Sequence, residues 1–141
     1  MSLKRVVIDT NVILSALKSN KGASFSLLQK LADEHFEIAI SVPLILEYEL
    51  ILKRHLDRTL FTDQDITDFI NYICKIGIAT QIYYLWRPIL SDSYDDHILE
   101  VAVASESDYI ITFNIKDFSE TKKFGIEAIK PGDFIKTIGG R

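Results

Sequence analysis

One cysteine in 141 residues leaves nothing within the chain to pair with. Cys74 excludes an internal disulfide framework and fits a reducing compartment. Its place in the apolar run Tyr72-Ile73-Cys74 predicts a small core residue without chemistry of its own. Positive charge is also in short supply. Sixteen Lys and Arg stand against 20 Asp and Glu, a formal net charge of -4. That excludes holding nucleic acid by bulk electrostatics and leaves room only for a local basic groove. Long apolar runs are missing too: the one behind Lys4 and Arg5 is broken by Asp9 and Asn11 before the core of a signal peptide is complete, and no other run could span a bilayer. The expectation is a soluble, cytoplasmic protein with no membrane partner. No repeat, low-complexity tract or linker divides the chain, and 48% hydrophobic residues suffice for a core. Residues 1–141 are therefore expected to form one domain. Glycine-rich phosphate loops of the G-x-x-x-x-G-K-[ST] or G-x-G-x-x-G kind are absent, which removes the machinery of P-loop hydrolysis and dinucleotide redox. His35, His55 and His97 are scattered without zinc-ligand spacing.

What the chain does contain is organised around Arg5 to Leu17. Val6, Val7 and Ile8 read as a short buried strand, Asp9, Thr10 and Asn11 place polar atoms where it ends, and Val12 to Leu17 resumes as a helix. An acid at that position either caps the helix or binds something at the edge where open α/β sheets hold their ligands. A second amphipathic helix follows from Ser24 to His35. Phe36 to Ser41 alternates as a strand and gives way at Val42-Pro43 to a helix reaching about His55. Its apolar residues are too many for a narrow stripe, which predicts that most of that helix is buried. Thr62 opens another helix through about Lys75, with Asp63, Asp65 and Asp68 as cap and solvated face and Gly77 as its stop. Ile78 to Tyr84 is strand-like, and Trp86-Arg87-Pro88 leads into a loop anchored by Trp86.

From Ser91 to Asp108 the balance changes. Asp92, Asp95, Asp96, Glu100, Glu106 and Asp108 occur there with no lysine or arginine among them. Such crowding costs repulsion unless water or a cation relieves it. A helix from about Asp95 to Glu106 puts Asp95 and Asp96 in its first turn, where the helix dipole favours anions. Tyr109 to Thr112 forms a short buried strand that runs into the polar stretch Asn114 to Asp117. Ile126 to Ile129 is the last strand, and Pro131 to Ile135 a closing turn of helix. Alternating strands and helices predict an α/β fold, a parallel sheet covered on both faces with right-handed crossovers. All strand carboxyl ends then share one edge, where Asp9, the region after Ser41, the loop ahead of Asp96 and the Asn114–Asp117 loop can converge. Carboxylates gathered there without histidine or cysteine suit a hard cation, Mg²⁺ or Mn²⁺, and the phosphoryl chemistry it supports.

Four motifs in order carry a resemblance to a known family: I-D-T-N at Ile8 to Asn11, S-x-x-x-x-x-E at Ser41 to Glu47, D-x-x-D-D-x-x-L-E at Asp92 to Glu100, and T-x-N-x-x-D-F at Thr112 to Phe118. Together they resemble the PIN domain, and within it the small single-domain bacterial and archaeal proteins described as VapC-like toxin components of toxin-antitoxin systems. The resemblance implies a three-layer α/β/α fold and a Mg²⁺- or Mn²⁺-dependent endoribonuclease. Its partners would be an RNA substrate and, for a toxin, a cognate antitoxin and a second copy in a homodimer. Carried over by residue, Asp9, Asp96 and Asp117 would hold metal and Glu47 would be a further catalytic acid. Thr10 and Asn11 would support Asp9, with Thr112 and Asn114 nearby. Asn114 stands where many relatives carry an acid, so Asn114 and Asp117 compete for the fourth position. Phe118 would fix that loop and aim Asp117 inward. Lys53, Arg54 and Arg58 form the best local basic cluster for RNA phosphates. The bland readings are Asp9 as a cap, Glu47 as the partner of a buried cation, Asp92 and Asp95 as loop and cap residues, and Glu49 and Glu100 as structural or solvated.

Two other classes of function fit the residues less well. A receiver-like signalling domain would need an acidic pair directly after the first strand and an acceptor aspartate after a middle strand. Thr10-Asn11 and Gln81-Ile82 occupy those places. A catalytically quiet PIN-like module that binds protein is the alternative to an enzyme, and the retention of Asp9, Glu47 and Asp96 argues against it.

Overall fold

The strand Arg5–Ile8, β1, lies at the centre of the sheet because Val6, Val7 and Ile8 have no solvent exposure at all. Burying each of three such side chains contributes roughly 1.5–3 kcal/mol. In the computed structural model, which describes residues 3–82 and 93–139 (for 93 and 94 the backbone alone), five strands form one sheet. The helices are α1 (Thr10–Lys18), α2 (Ala23–Ala32), α3 (Val42–His55), α4 (Asp63–Ile76), α5 (Ser93–Ala104) and α6 (Pro131–Thr137). The other strands are β2 (Glu37–Ile40), β3 (Ile78–Ala79), β4 (Tyr109–Ile111) and β5 (Glu127–Ile129). A 3-10 segment, Ile115–Phe124, precedes β5.

Every strand pair is parallel and the order is β3-β2-β1-β4-β5. The chain thus builds outward from β1 through β2 to β3, then crosses back to place β4 on the other side of β1. Ile8 faces Ile111 across that reversal, and Ile111 faces Ile129. Helices layer both faces. On one side α5 lies against β1, β2 and β4 and against the 3-10 segment. In addition, α1 packs on α2 and α3, α3 on α4, and α2 on α6. This is the expected three-layer α/β/α arrangement.

Local chemistry explains the element ends. Ser41 caps α3 by accepting the Leu44 N–H at 3.2 Å. Thr62 and Asp65 form a reciprocal capping box at the start of α4. Gly77 is the last residue bonded into α4, its N–H on the Ile73 carbonyl at 2.9 Å, and a larger residue would not fit, because a Cβ there would lie 2.9 Å from both the Ile73 carbonyl oxygen and Ile40 Cδ1. These acids, as expected, serve the cap and the solvated face of α4.

Three expectations need correction. The strand predicted from Ile78 to Tyr84 is two residues long within the described chain, Ile78–Ala79, and residues 83 and 84 lie outside it. The Thr80 N–H adds one more bond to the Ile40 carbonyl. Its hydroxyl, though, turns back to the Ile78 carbonyl at 3.1 Å, a local bond that competes with the ladder on an edge strand. The helix expected to be mostly buried, α3, buries only Leu44, Tyr48 and Leu52 at four-residue spacing, while Val42, Leu46 and Leu50 face outward. Counting apolar residues overestimated burial because one helix packs one face. Cys74 is exposed for the same reason: the buried stripe of α4 runs through Ile66, Ile70 and Ile73 and leaves Cys74 beside it. Trp86 and Asp92 lie outside the described residues.

Candidate active site

Strand order reverses between β1 and β4, and in open α/β sheets the crevice outside such a point, at the strands' carboxyl ends, is where ligands bind. Two residues meet there. Asp9 follows β1 and Thr112 follows β4. The Thr112 hydroxyl donates to Asp9 Oδ2 at 2.7 Å, and the Asp9 N–H donates to the Ile111 carbonyl at 2.9 Å. Asp9 occupies the N-cap position of α1 with extended backbone, yet its side chain makes no capping bond. Its Oδ2 is engaged across the strand gap by Thr112, and not by the N–H groups of the helix it could have capped. Asp9 is 3% exposed, Thr10 beside it is buried as well, and Asn11 is exposed.

The edge is braced from both layers. From α3, the buried Tyr48 hydroxyl donates to the carbonyl of Ile8, the residue before Asp9. That bond ties the second turn of α3 to the end of β1. Glu47 precedes Tyr48 and lies three residues after buried Leu44, so it sits half-buried at the margin of the packed face. From the other layer, the end of α5 is fixed at the opposite edge of the sheet, where Arg5 Nη1 donates to the Ser105 carbonyl at 2.7 Å and the Arg5 N–H to Asp108 Oδ2 at 2.9 Å. The 12 residues of α5 rise roughly 18 Å, whereas the 4 residues of β1 span about 13 Å. The first turn of α5 therefore reaches past the carboxyl end of β1. Asp95 and Asp96 are in that turn, and both are buried, Asp96 to 2% exposure.

The loop after β4 is folded back on Thr112, since the Asn114 N–H donates to Thr112 Oγ1 at 3.0 Å and the Asp117 N–H to the Asn114 carbonyl at 3.0 Å. Phe118 is buried, as expected, but Asp117 itself is exposed, as is Asn114. A buried phenylalanine next door does not turn the aspartate inward, because adjacent residues of a 3-10 turn point to different sides and the backbone leaves helical geometry at Phe118. The basic cluster is mostly engaged. Lys53 pairs with Glu49 at 3.2 Å, and Arg58 bonds Asp63, the Phe61 carbonyl and the Lys53 carbonyl. Arg54 is exposed and has no ion pair among the described residues. In the same loop Asp57 is held below the ordinary carboxylate range by the Thr59 hydroxyl and the Thr59 N–H, a turn feature remote from Asp9.

The brace from Tyr48 was not anticipated, and the burial of Glu100 favours its structural reading over the solvated one. Tyr48 looked like any apolar position of a buried stripe, and nothing in its spacing announced the bond to Ile8. Glu100, read as structural or solvated, is 2% exposed. It lies four residues after Asp96 and hence on the same face of α5, a spacing the sequence did carry.

The donors at this edge are carboxylate and hydroxyl oxygens, the set a hard divalent cation takes. Among the described residues no three Asp, Glu, His or Cys side chains form a ready-made cage. Magnesium does not require one, since it keeps several waters and uses one or two carboxylates together with substrate phosphates. The residues fit such an ion in donor chemistry: Asp9 at the switch point and Asp95, Asp96 and Glu100 on α5 are all buried carboxylates.

Comparison with known families agrees with this architecture. The family model described as PIN domain matches residues 5–116, and the chain belongs to that family. PIN domains are generally nucleases, typically dependent on divalent metals. No curated protein matches the chain. No helix among the described residues is long and apolar enough to cross a membrane.

Proposed function

We propose that this PIN-domain chain is an endoribonuclease that hydrolyses RNA phosphodiester bonds with Mg²⁺ or Mn²⁺. The observation that carries the reading is the Asp9 carboxylate. It is buried, makes no capping bond to the helix it precedes, and accepts from Thr112 at 2.7 Å at the β1/β4 switch point. A buried charge is expensive to keep, and a fold that needed only a cap would have used the helix N–H groups beside it.

Asp9 and Asp96 are the residues that would hold the cation, with Asp117 or Asn114 from the loop after β4 completing the site. When bound, the ion supplies neutralisation of the phosphate oxygens and activation of water. The chain's own groups do the positioning. Thr112 fixes the rotation of the Asp9 carboxylate, and the first turn of α5 places Asp96 where the helix dipole favours negative charge. Glu47, at the margin of α3 next to the Tyr48 anchor, orients the attacking water for in-line displacement. Thr10 and Asn11 shape the turn that carries Asp9. Asp117 brings a full charge where Asn114 offers only a neutral carbonyl, so Asp117 ranks above Asn114 as a ligand despite its exposure. A loop at the surface can close on a substrate phosphate.

The biological setting this reading fits is a toxin of a toxin-antitoxin pair, in the cytoplasm, with a cognate antitoxin and a second copy as partners. That setting rests on the four motifs and their order. The test is cleavage of a mixed RNA substrate with Mg²⁺ or Mn²⁺, with EDTA as control and Asp9→Asn as the blank. Metal-dependent cleavage lost in Asp9→Asn is expected. A purified, folded wild-type protein inert under every metal condition would leave a protein-binding module instead.

A further inference from the structure

A second cavity lies beside the acidic edge and belongs to none of the residues assigned above. It has a volume of about 310 Å³ and is bounded by Ser15 of α1, the start of α2, Phe113, and the turn from β5 into α6 around Lys130. Phe113 directly follows Thr112, the residue bonded to Asp9, so the cavity adjoins the candidate centre through one peptide unit. Lys130 directly follows β5, which puts it on the same carboxyl edge.

Its walls differ in kind. On the α2 side the first intrahelical bond runs from the Ser26 N–H to the Gly22 carbonyl, and no side chain caps the helix. The N–H groups of Ala23, Ser24 and Phe25 therefore have no acceptor within the helix. Ser24 is 4% exposed and lines the cavity, and its hydroxyl makes no hydrogen bond among the described residues. A hydroxyl without a partner among the described residues, on a nearly buried residue at a helix start whose first N–H groups lack intrahelical acceptors, suits an anionic oxygen. Lys130 adds a cation at the rim, and Asp133, exposed in the first turn of α6, sets the opposite charge beside it. Phe113 supplies an apolar ring that is 43% exposed, unusual for phenylalanine next to a buried strand.

We infer that this cavity is a nucleotide subsite for single-stranded RNA, taking a phosphate at the start of α2 against Ser24 and Lys130 and the adjoining base on Phe113. The inference rests on the ribonuclease reading for the identity of the polymer, and gives that reading a direction: the strand leaves Asp9 toward β5. Base stacking on an aromatic ring is tolerant of sequence and strong enough to hold one nucleotide in register.

The test is binding of a short fluorescent single-stranded RNA to the full chain in EDTA, by anisotropy at two or more salt concentrations. Without metal nothing turns over, so binding is read independently of cleavage. Phe113→Ala is expected to weaken binding roughly five- to hundredfold, with Phe113→Trp retaining it. Lys130→Ala is expected to lower the salt slope by about one. Both residues are solvent-accessible, and a thermal melt of each variant checks folding. Unchanged affinity and salt slope in both variants would overturn the subsite. A protein that binds through Phe113 yet cleaves nothing would keep the subsite and defeat the ribonuclease reading. One that cleaves with unaltered KM after Phe113→Ala would do the reverse.

Discussion

The two edges of the sheet are both rich in charge, and they use it in opposite ways. At the amino edge Arg5 is held by three partners: its side chain pairs with Glu37 at 3.8 Å and donates to the Ser105 carbonyl, and its N–H reaches Asp108, while its Nε makes no hydrogen bond among the described residues. Those groups are partly in water, and the pairing tacks α5 and β4 to the start of β1. At the carboxyl edge the deepest acids are buried, although Asp117 is exposed and Glu47 half-buried. Asp9 and Asp96 are 3% and 2% exposed, and the stretch that supplies Asp96 has no lysine or arginine from Ser91 to Asp108. Charge arranged for stability is paired and cheap to keep. Taking a carboxylate out of water costs stability unless its surroundings compensate, and buried acids concentrate at functional sites.

The comparison breaks most sharply at Asp9. Asp9→Asn keeps an acceptor for Thr112 and removes the charge. RNA cleavage should fall about a thousandfold or more, while the melting temperature without metal stays level or rises from relieved repulsion. Full metal-dependent activity in the folded variant would end the assignment. Next in size is the brace behind the edge. Tyr48→Phe removes the hydroxyl that serves the Ile8 carbonyl in a dry environment, and should cost about 1–3 kcal/mol in denaturant unfolding together with a lower kcat. A loss of stability without any change in kcat would confine Tyr48 to the fold.

Smaller effects sharpen the contrast. Arg54→Ala should weaken RNA binding severalfold and lower its salt slope by about one, whereas Lys53→Ala and Arg58→Ala, already engaged with Glu49 and Asp63, should change it less. Equal losses at all three would mean that the local ion pairs open on binding. Smallest is the amino edge itself. Arg5→Ala should cost about 1 kcal/mol of stability and leave cleavage untouched, because partly exposed pairs contribute little. A large activity loss there would undo the division between the two edges.

The layering and the strand ends beside the candidate site were legible in the sequence for a common reason: the central strands of a parallel sheet are buried and apolar, so β1 and β4 each end visibly where a polar residue begins. Val6-Val7-Ile8 followed by Asp9, and Ile110-Ile111 followed by Thr112, mark the two strand ends that the fold then sets side by side. What could not be read was orientation. Whether Asp9 caps α1 or turns to Thr112 depends on a partner 103 residues away. The depth of Glu100, the exposure of Leu46 and Cys74, and the bond from Tyr48 to Ile8 all depend on which neighbour a helix face meets. Spacing gives the face, and only packing gives the neighbour. Asp117 shows the limit in a single loop: Phe118 is buried where the sequence placed it, and the carboxylate beside it is in solvent.

The central claim is that the carboxyl-edge acids are kept together for a divalent cation, and the direct measurement is metal binding itself, free of any substrate. Titration of Mn²⁺ into the protein, followed by the loss of the free-ion electron paramagnetic resonance signal, should show binding in the wild type. It should be weakened at least tenfold in Asp9→Asn and in Asp96→Asn and unchanged in Arg5→Ala. In parallel, saturating Mn²⁺ should raise the melting temperature of the wild type and not of the two carboxyl-edge variants. Equal Mn²⁺ affinity in the wild type, Asp9→Asn and Asp96→Asn would contradict the account.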